Sequence, residues 1–97
     1  MSAGEVRKNF EKDGFKVSGF SVDTKRGRVA MNISGRVAKN VIPLDFRGSS
    51  AMVQARFVGV RSGAYVVSAI VVSERKNWAG KLASSYRRAA EGLQARR

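Results

Sequence analysis

Residues Ala51–Ser73 read AMVQARFVGVRSGAYVVSAIVVS, and the reading of this stretch decides the fold. It is the most hydrophobic part of the chain and contains no acid. Val53, Ala55 and Phe57 alternate with Gln54 and Arg56, the period of two that marks a strand with one wet face. Ser62-Gly63 then interrupts with a two-residue turn signal. From Tyr65 to Val72 both parities are apolar apart from Ser68, which predicts a strand covered above and below and therefore central in its sheet. A two-residue connection joins antiparallel strands only. The expectation is a long hairpin, Met52–Arg61 with Ala64–Ser73. A single buried helix across the same residues is the alternative, and the β-branched content and the Ser-Gly interruption weigh against it.

Upstream, Arg28–Val37 is the most regular strand pattern: Val29, Met31, Ile33 and Val37 share one face, and Arg28, Asn32, Ser34 and Arg36 share the other. Phe15–Asp23 is a strand whose alternation changes phase at Gly19. Such a change requires an inserted residue, and Gly is the usual residue at a bulge. Asp23–Gly27 is a hairpin loop in which Asp23 bonds backbone amides of the turn. Val41–Phe46 is a shorter strand; Pro43 cannot donate to a ladder and assigns it to an edge or an unpaired position. Ser2 and Glu5 have the spacing of a capping box, Val6 and Phe10 lie one turn apart, and Gly14 fits a left-handed cap, which predicts a helix over Ala3–Lys12 with a frayed arm as the alternative. Downstream, Asn77 is a good N-cap. Trp78, Leu82, Tyr86, Ala89 and Leu93 form the apolar stripe of an amphipathic helix whose Trp78 and Leu82 are expected to dock on the sheet.

The predicted class is α+β and β-dominated: a five-stranded antiparallel meander between a short N-terminal helix and an amphipathic C-terminal helix. The meander forms either a small, partly open barrel of OB, SH3 or Sm type, which is preferred, or a curved open sheet with the C-terminal helix packed on it. One domain spans residues 1–97, with 1–13 as helix or arm, 14–73 as sheet and 77–95 as the final helix.

Composition narrows the function. There is no cysteine and no histidine among the 97 residues, so thiolate and imidazole metal sites and the usual nucleophile–base pairs are excluded. The seven acids are scattered, no pair is placed to act as acid and base, and no glycine-rich phosphate loop is present, so neither catalysis nor a cofactor or metal is expected. No apolar run is long enough to span a bilayer and no signal peptide is visible; a cytoplasmic, intracellular protein is expected, of a kind a virus or plasmid also encodes.

The chain carries 19 Lys+Arg against 7 Asp+Glu, a net charge of +12. Residues 1–23 are balanced, with four bases and four acids, so the excess begins at Lys25. A field of that strength concentrates polyanions, and nucleic acid is the expected partner. Lys25, Arg26 and Arg28 gather at one hairpin end, with Arg36 and Lys39 at the other. Arg28, Asn32, Ser34 and Arg36 share a strand face that Gln54 and Arg56 extend, where arginine forks fit phosphate and side-chain amides add hydrogen bonds. Arg47, Arg61, Lys81 and Arg88 complete the cationic set, and Tyr65 is the candidate for base stacking. The competing reading of this face is a plain solvated exterior, and the predominance of Arg over Lys favours phosphate contact. No helix pair has the helix-turn-helix arrangement of a major-groove reader, which turns the expectation toward single-stranded DNA or RNA.

Asp13–Asp23 resembles the first half of an Sm motif and Val60–Gly63 its second half. Lys8, the missing Asn after Asp23 and the long basic tail depart from that pattern. A strand meander ending in a helix that opens with Trp78 resembles the Whirly type of single-strand binder. Neither resemblance carries site residues across. The expected function is single-strand nucleic-acid binding without catalysis, as a homodimer or small homo-oligomer, with no membrane or small-molecule partner. The Trp78–Leu93 stripe is the expected second seam. A structural or assembly protein of phage or plasmid type, acting by protein contact, is the alternative, and docking on an anionic membrane the third reading.

Overall fold

The computed structural model describes residues 3–38, 48 and 50–93. The order of elements is helix α1 (Ala3–Lys12), strands β1 (Lys16–Asp23), β2 (Arg28–Ala38), β3 (Ser50–Ser62) and β4 (Tyr65–Glu74), a 3-10 turn over Arg75–Asn77, and helix α2 (Lys81–Glu91). The four strands form one antiparallel sheet in the order β1-β2-β3-β4. Among the described residues it is a curved open sheet in which β1 and β4 are the two edges. The preferred barrel closure therefore gives way to the open alternative. The strand expected at Val41–Phe46 and the capping Ser2 lie outside the described residues.

Local sequence accounts for each junction. Gly14 ends α1 with φ +91°, its amide bonding the Glu11 carbonyl at 3.0 Å while the Phe15 amide bonds the Phe10 carbonyl at 3.1 Å. That double closure is a Schellman motif, and its usual hydrophobic contact is present in the edge-on rings of Phe10 and Phe15, 6.3 Å apart. In β1, Ser18 pairs with Asn32 and Ser21 with Ala30, so two residues oppose one, with Gly19 at φ +58° in the bulge. The Asp23 carboxylate accepts a 3.1 Å hydrogen bond from the Arg26 amide, as the turn chemistry requires. The central hairpin turns on Gly63-Ala64, one residue later than expected, because Ser62 pairs with Tyr65. Its positive φ at Gly63 and ordinary φ at Ala64 fit a type II′ turn.

The helices lie on opposite faces. Directly paired residues point to the same side of a sheet, and neighbours along a strand alternate. Met31, Ile33 and Ala55 are buried with Val6 and Phe10 of α1, together with Phe15, Val17, Phe20 and Phe57. Ala30, Val58 and Val60 are buried on the other side with Ala90 and Leu93, under α2. The central strands β2 and β3 are thus covered on both sides, and Met31 and Val58 are fully buried.

Two sequence expectations are corrected here. The Tyr65–Val72 segment is an edge strand, not a central one, and Val66, Val67 and Ile70 are exposed. Its apolarity on both parities therefore marks surface as well as core. Helix α2 starts after Gly80 instead of Asn77, and it buries Ala83 and Ala90 while Leu82 and Tyr86 stand exposed at 69% and 56%. Small alanines let the helix lie close to the sheet, so its docking stripe is rotated away from the bulky residues that define the stripe in sequence.

Gly35 is a checkable point of this packing. A Cβ there would collide with the Phe15 ring, which lies over the β2 backbone. Gly35→Ala is expected to destabilise the fold by about 1–3 kcal/mol through overpacking, read as a lowered urea midpoint; an unchanged midpoint would show that the ring has free space.

Candidate nucleic-acid groove

The α2 side of the sheet is apolar at one end and polar at the other. Beyond Ala30, Val58 and Val60, two polar rows cross the strands: Ser18, Asn32 and Arg56, then Lys16, Ser34, Gln54 and Ser73. Helix α2 stands over the boundary, and the space between is a groove of about 800 Å³. Its floor holds Ser18, Asn32 and Gln54, and its walls hold Arg56, Glu91, Trp78, Ser84, Arg87 and Arg88.

Glu91 organises one wall. Its carboxylate accepts from Arg56 Nε at 2.6 Å and from an Arg28 terminal nitrogen at 2.8 Å. The second Arg28 terminal nitrogen reaches the Glu91 carbonyl at 3.5 Å, at the end of the helix where carbonyls lack partners. Arg56 also donates to the Asn32 side-chain oxygen at 3.1 Å. An acid in the last turn of a helix opposes the helix dipole, so its place there depends on these two cations. The hydrogen bond from Arg56 chiefly, and that from Arg28, hold the Glu91 carboxyl below the usual glutamate range against the opposing effect of partial burial. The Arg28 and Arg56 side chains are only 22% and 20% exposed, against 44% for Glu91.

The same helix face continues into an aromatic contact. The Arg87 guanidinium lies 4.5 Å from the Trp78 ring centroid and donates to the Ser84 hydroxyl at 2.9 Å. Trp78 is half-buried and presents one flank to the groove. Flat aromatic surface beside guanidinium groups is what stacks bases and holds phosphates together.

The expected site residues separate into four groups. Asn32, Gln54, Arg56 and Arg88 meet in the groove. Arg28 adjoins it, on the β2 face it shares with Asn32, Ser34 and Arg36, but is engaged with Glu91, so Arg28 and Arg56 are partly neutralised structural partners. Lys25, Arg26 and Arg61 gather at the β1–β2 loop, where the Arg61 amide bonds the Gly27 carbonyl at 2.8 Å, and Arg26 is paired with Asp23 at 3.8 Å. Arg36 is exposed at the other end and donates to the Ser50 hydroxyl at 3.2 Å, while Lys81 lines a separate groove between α2 and β4. Lys39 and Arg47 lie outside the described residues, as does the Tyr65 side chain. Among the described residues, Arg36, Arg61, Arg87 and Arg88 take part in no ion pair.

Sequence reading missed Ser18, Ser84 and Arg87, and gave Trp78 to the core or a dimer seam. Glu91 carried a usable signal: it is one of two acids against seven bases in residues 74–97, so an internal partner was to be expected. No protein-family model matches the chain, and no curated protein or solved structure matches it significantly.

Glu91→Gln removes the carboxylate and leaves two half-buried guanidinium groups without a counter-charge. The expected loss is about 1 kcal/mol, small because the carboxylate is half-exposed and screened. Because the folded carboxyl titrates below its unfolded value, its stabilisation is present above the unfolded glutamate pKa of about 4.3 and lost as pH falls through the folded value. Thermal midpoints measured from pH 7 to pH 3 should therefore fall less steeply for the variant. Parallel acid limbs would show that Glu91 is not linked to folding.

Proposed function

We propose that this chain binds single-stranded nucleic acid in the groove between α2 and the polar rows of the sheet, without catalysis. The observation that carries this reading is the juxtaposition of Trp78 with Arg87 and Arg88 across from the amide side chains of Asn32 and Gln54. Trp78 stacks a base, Arg87 and Arg88 hold phosphates, and the amide and hydroxyl groups of the floor bond sugar or base edges. Arg36 extends the path, since it lies one step along the same face from Ser34, about 7 Å at strand spacing. The loop cations Lys25, Arg26 and Arg61 add long-range attraction consistent with a net charge of +12.

Several features favour a single strand over a duplex. The groove is walled by a helix on one side and floored by a sheet, which suits an extended chain whose bases are splayed. Helix α2 presents only Arg87 and Arg88 toward the groove, beside Ser84 and Glu91, while its third base, Lys81, lies in the separate groove next to β4, so the helix offers no continuous cationic row to a duplex backbone.

Trp78 is the sole tryptophan, so its fluorescence reports on the groove directly. Titration with single-stranded oligonucleotides is expected to quench it, with weaker binding of the duplex of the same sequence in parallel fluorescence-polarisation assays. The log–log salt slope should fall by roughly 1–2 in R87A/R88A, about 0.7 for each single-strand phosphate that the variant no longer neutralises. Binding that is insensitive to salt, or saturation without any change in Trp78 emission, would sink the assignment.

A further inference from the structure

The two edges of the sheet are built in opposite ways. Edge β1 is interrupted by the Gly19 bulge, exposes Lys16, Ser18, Ser21 and Asp23, and is contacted by α1. Those are the devices by which proteins prevent a sheet from growing. Edge β4 is also contacted by a helix, α2, but it carries no bulge and no charge before Glu74: its ladder with β3 runs without a register shift from Tyr65 to Glu74. Residues 62–73 form the longest stretch of the chain without a charged side chain. Of the six large apolar side chains exposed among the described residues, Val66, Val67 and Ile70 lie on β4 and Leu82 and Tyr86 on α2 beside it. Leu82 and Tyr86 line a groove with Val71, Val72 and Ser73 of the same flank.

We propose that two copies of this chain associate by antiparallel pairing of their β4 edges about a two-fold axis. Charge decides in favour of a second copy at this edge. With a net charge of +12, two copies repel wherever bases meet bases, and strand β4 from Tyr65 to Ser73 brings none, although Lys76 and Lys81 line the groove beside it. The strand is also self-complementary. An axis at Ala69 sets Val66 opposite Val72, Val67 opposite Val71 and Ser68 opposite Ile70 of the second copy. Each pair shares parity, so both α2 helices fall on the same side of the joined sheet. Leu82 and Tyr86, beside Val71, then come over Val67 of the second copy, which gives these exposed side chains a cover. A two-fold contact closes on itself, and the bulged β1 edges stay at the outside, so the assembly stops at two.

The test uses the full chain without nucleic acid, so its outcome is separate from that of the binding assays. Sedimentation velocity at tens of micromolar protein is expected to give twice the monomer mass. Val66→Lys with Ile70→Lys should give the monomer mass, at least tenfold weaker self-association, and an unchanged far-ultraviolet circular dichroism spectrum. Hydrogen exchange on the wild type gives a second reading that needs no variant: β4 amides should lose protection on dilution while β2 amides keep theirs. A wild type that is monomeric throughout overturns the proposal. So does a dimer that survives the double lysine variant or keeps concentration-independent β4 exchange, including one that only Leu82→Glu with Tyr86→Glu separates.

Discussion

The ion triad of Arg28, Glu91 and Arg56 fixes where helix α2 ends and hence what the sheet face beneath it can do. Ala83 and Ala90 give the helix a close but shallow hold, because their methyl groups bury little area. A helix held that weakly needs a directional contact to set its position along the strands. Glu91 supplies it, drawing on guanidinium groups from two adjacent strands, while its own carbonyl accepts a further hydrogen bond from one of them. The groove exists because the helix is pinned at this end and stands above polar rows at the other.

The same triad sorts the cations into two populations. Arg28 and Arg56 help to position α2 and share the single negative charge of Glu91. Arg36, Arg61, Arg87 and Arg88 carry no such obligation among the described residues. A net positive charge is therefore a poor guide to a binding surface until the internal partners are known. Arg87 occupies an intermediate place: its guanidinium is committed to the Trp78 ring, an interaction that leaves its charge intact and orients it toward the groove.

Much of the architecture was legible in the residues themselves. The Gly19 bulge, the Asp23 loop, the Gly14 cap and the antiparallel hairpin through Gly63 all follow from short-range steric and hydrogen-bonding rules, and the structure contains each. What the sequence concealed is long-range. The Val66–Val72 run looks identical whether its second face meets a helix or solvent, so period and hydropathy could not separate a central strand from an edge. Helix α2 was misjudged for a related reason. Its largest apolar side chains trace one stripe, but the residues it buries are Ala83 and Ala90, while Glu91 beside Ala90 reaches Arg28 and Arg56. The groove was invisible for the same cause, because Trp78 and Arg87 meet Asn32 and Gln54 only after the helix has been placed.

Along β4 apolar exposure and positive charge are separate, although Lys76 and Lys81 line the groove that holds Leu82 and Tyr86. If the exposed apolar residues of β4 were merely surplus hydrophobicity, bases would alternate with them along the strand, as solubility requires. Instead residues 62–73 are free of charge while cations gather at the loop, the far strand end and the helix wall. Segregation of this kind would let one molecule meet the two proposed partners in different places, an anion at the cationic residues and a like copy at the uncharged strand. The parity of the β4 residues makes the two arrangements compatible. In the proposed dimer, antiparallel pairing at that edge keeps both grooves on one side of the combined sheet, so the proposed single strand would pass from one groove to the other without passing around an edge.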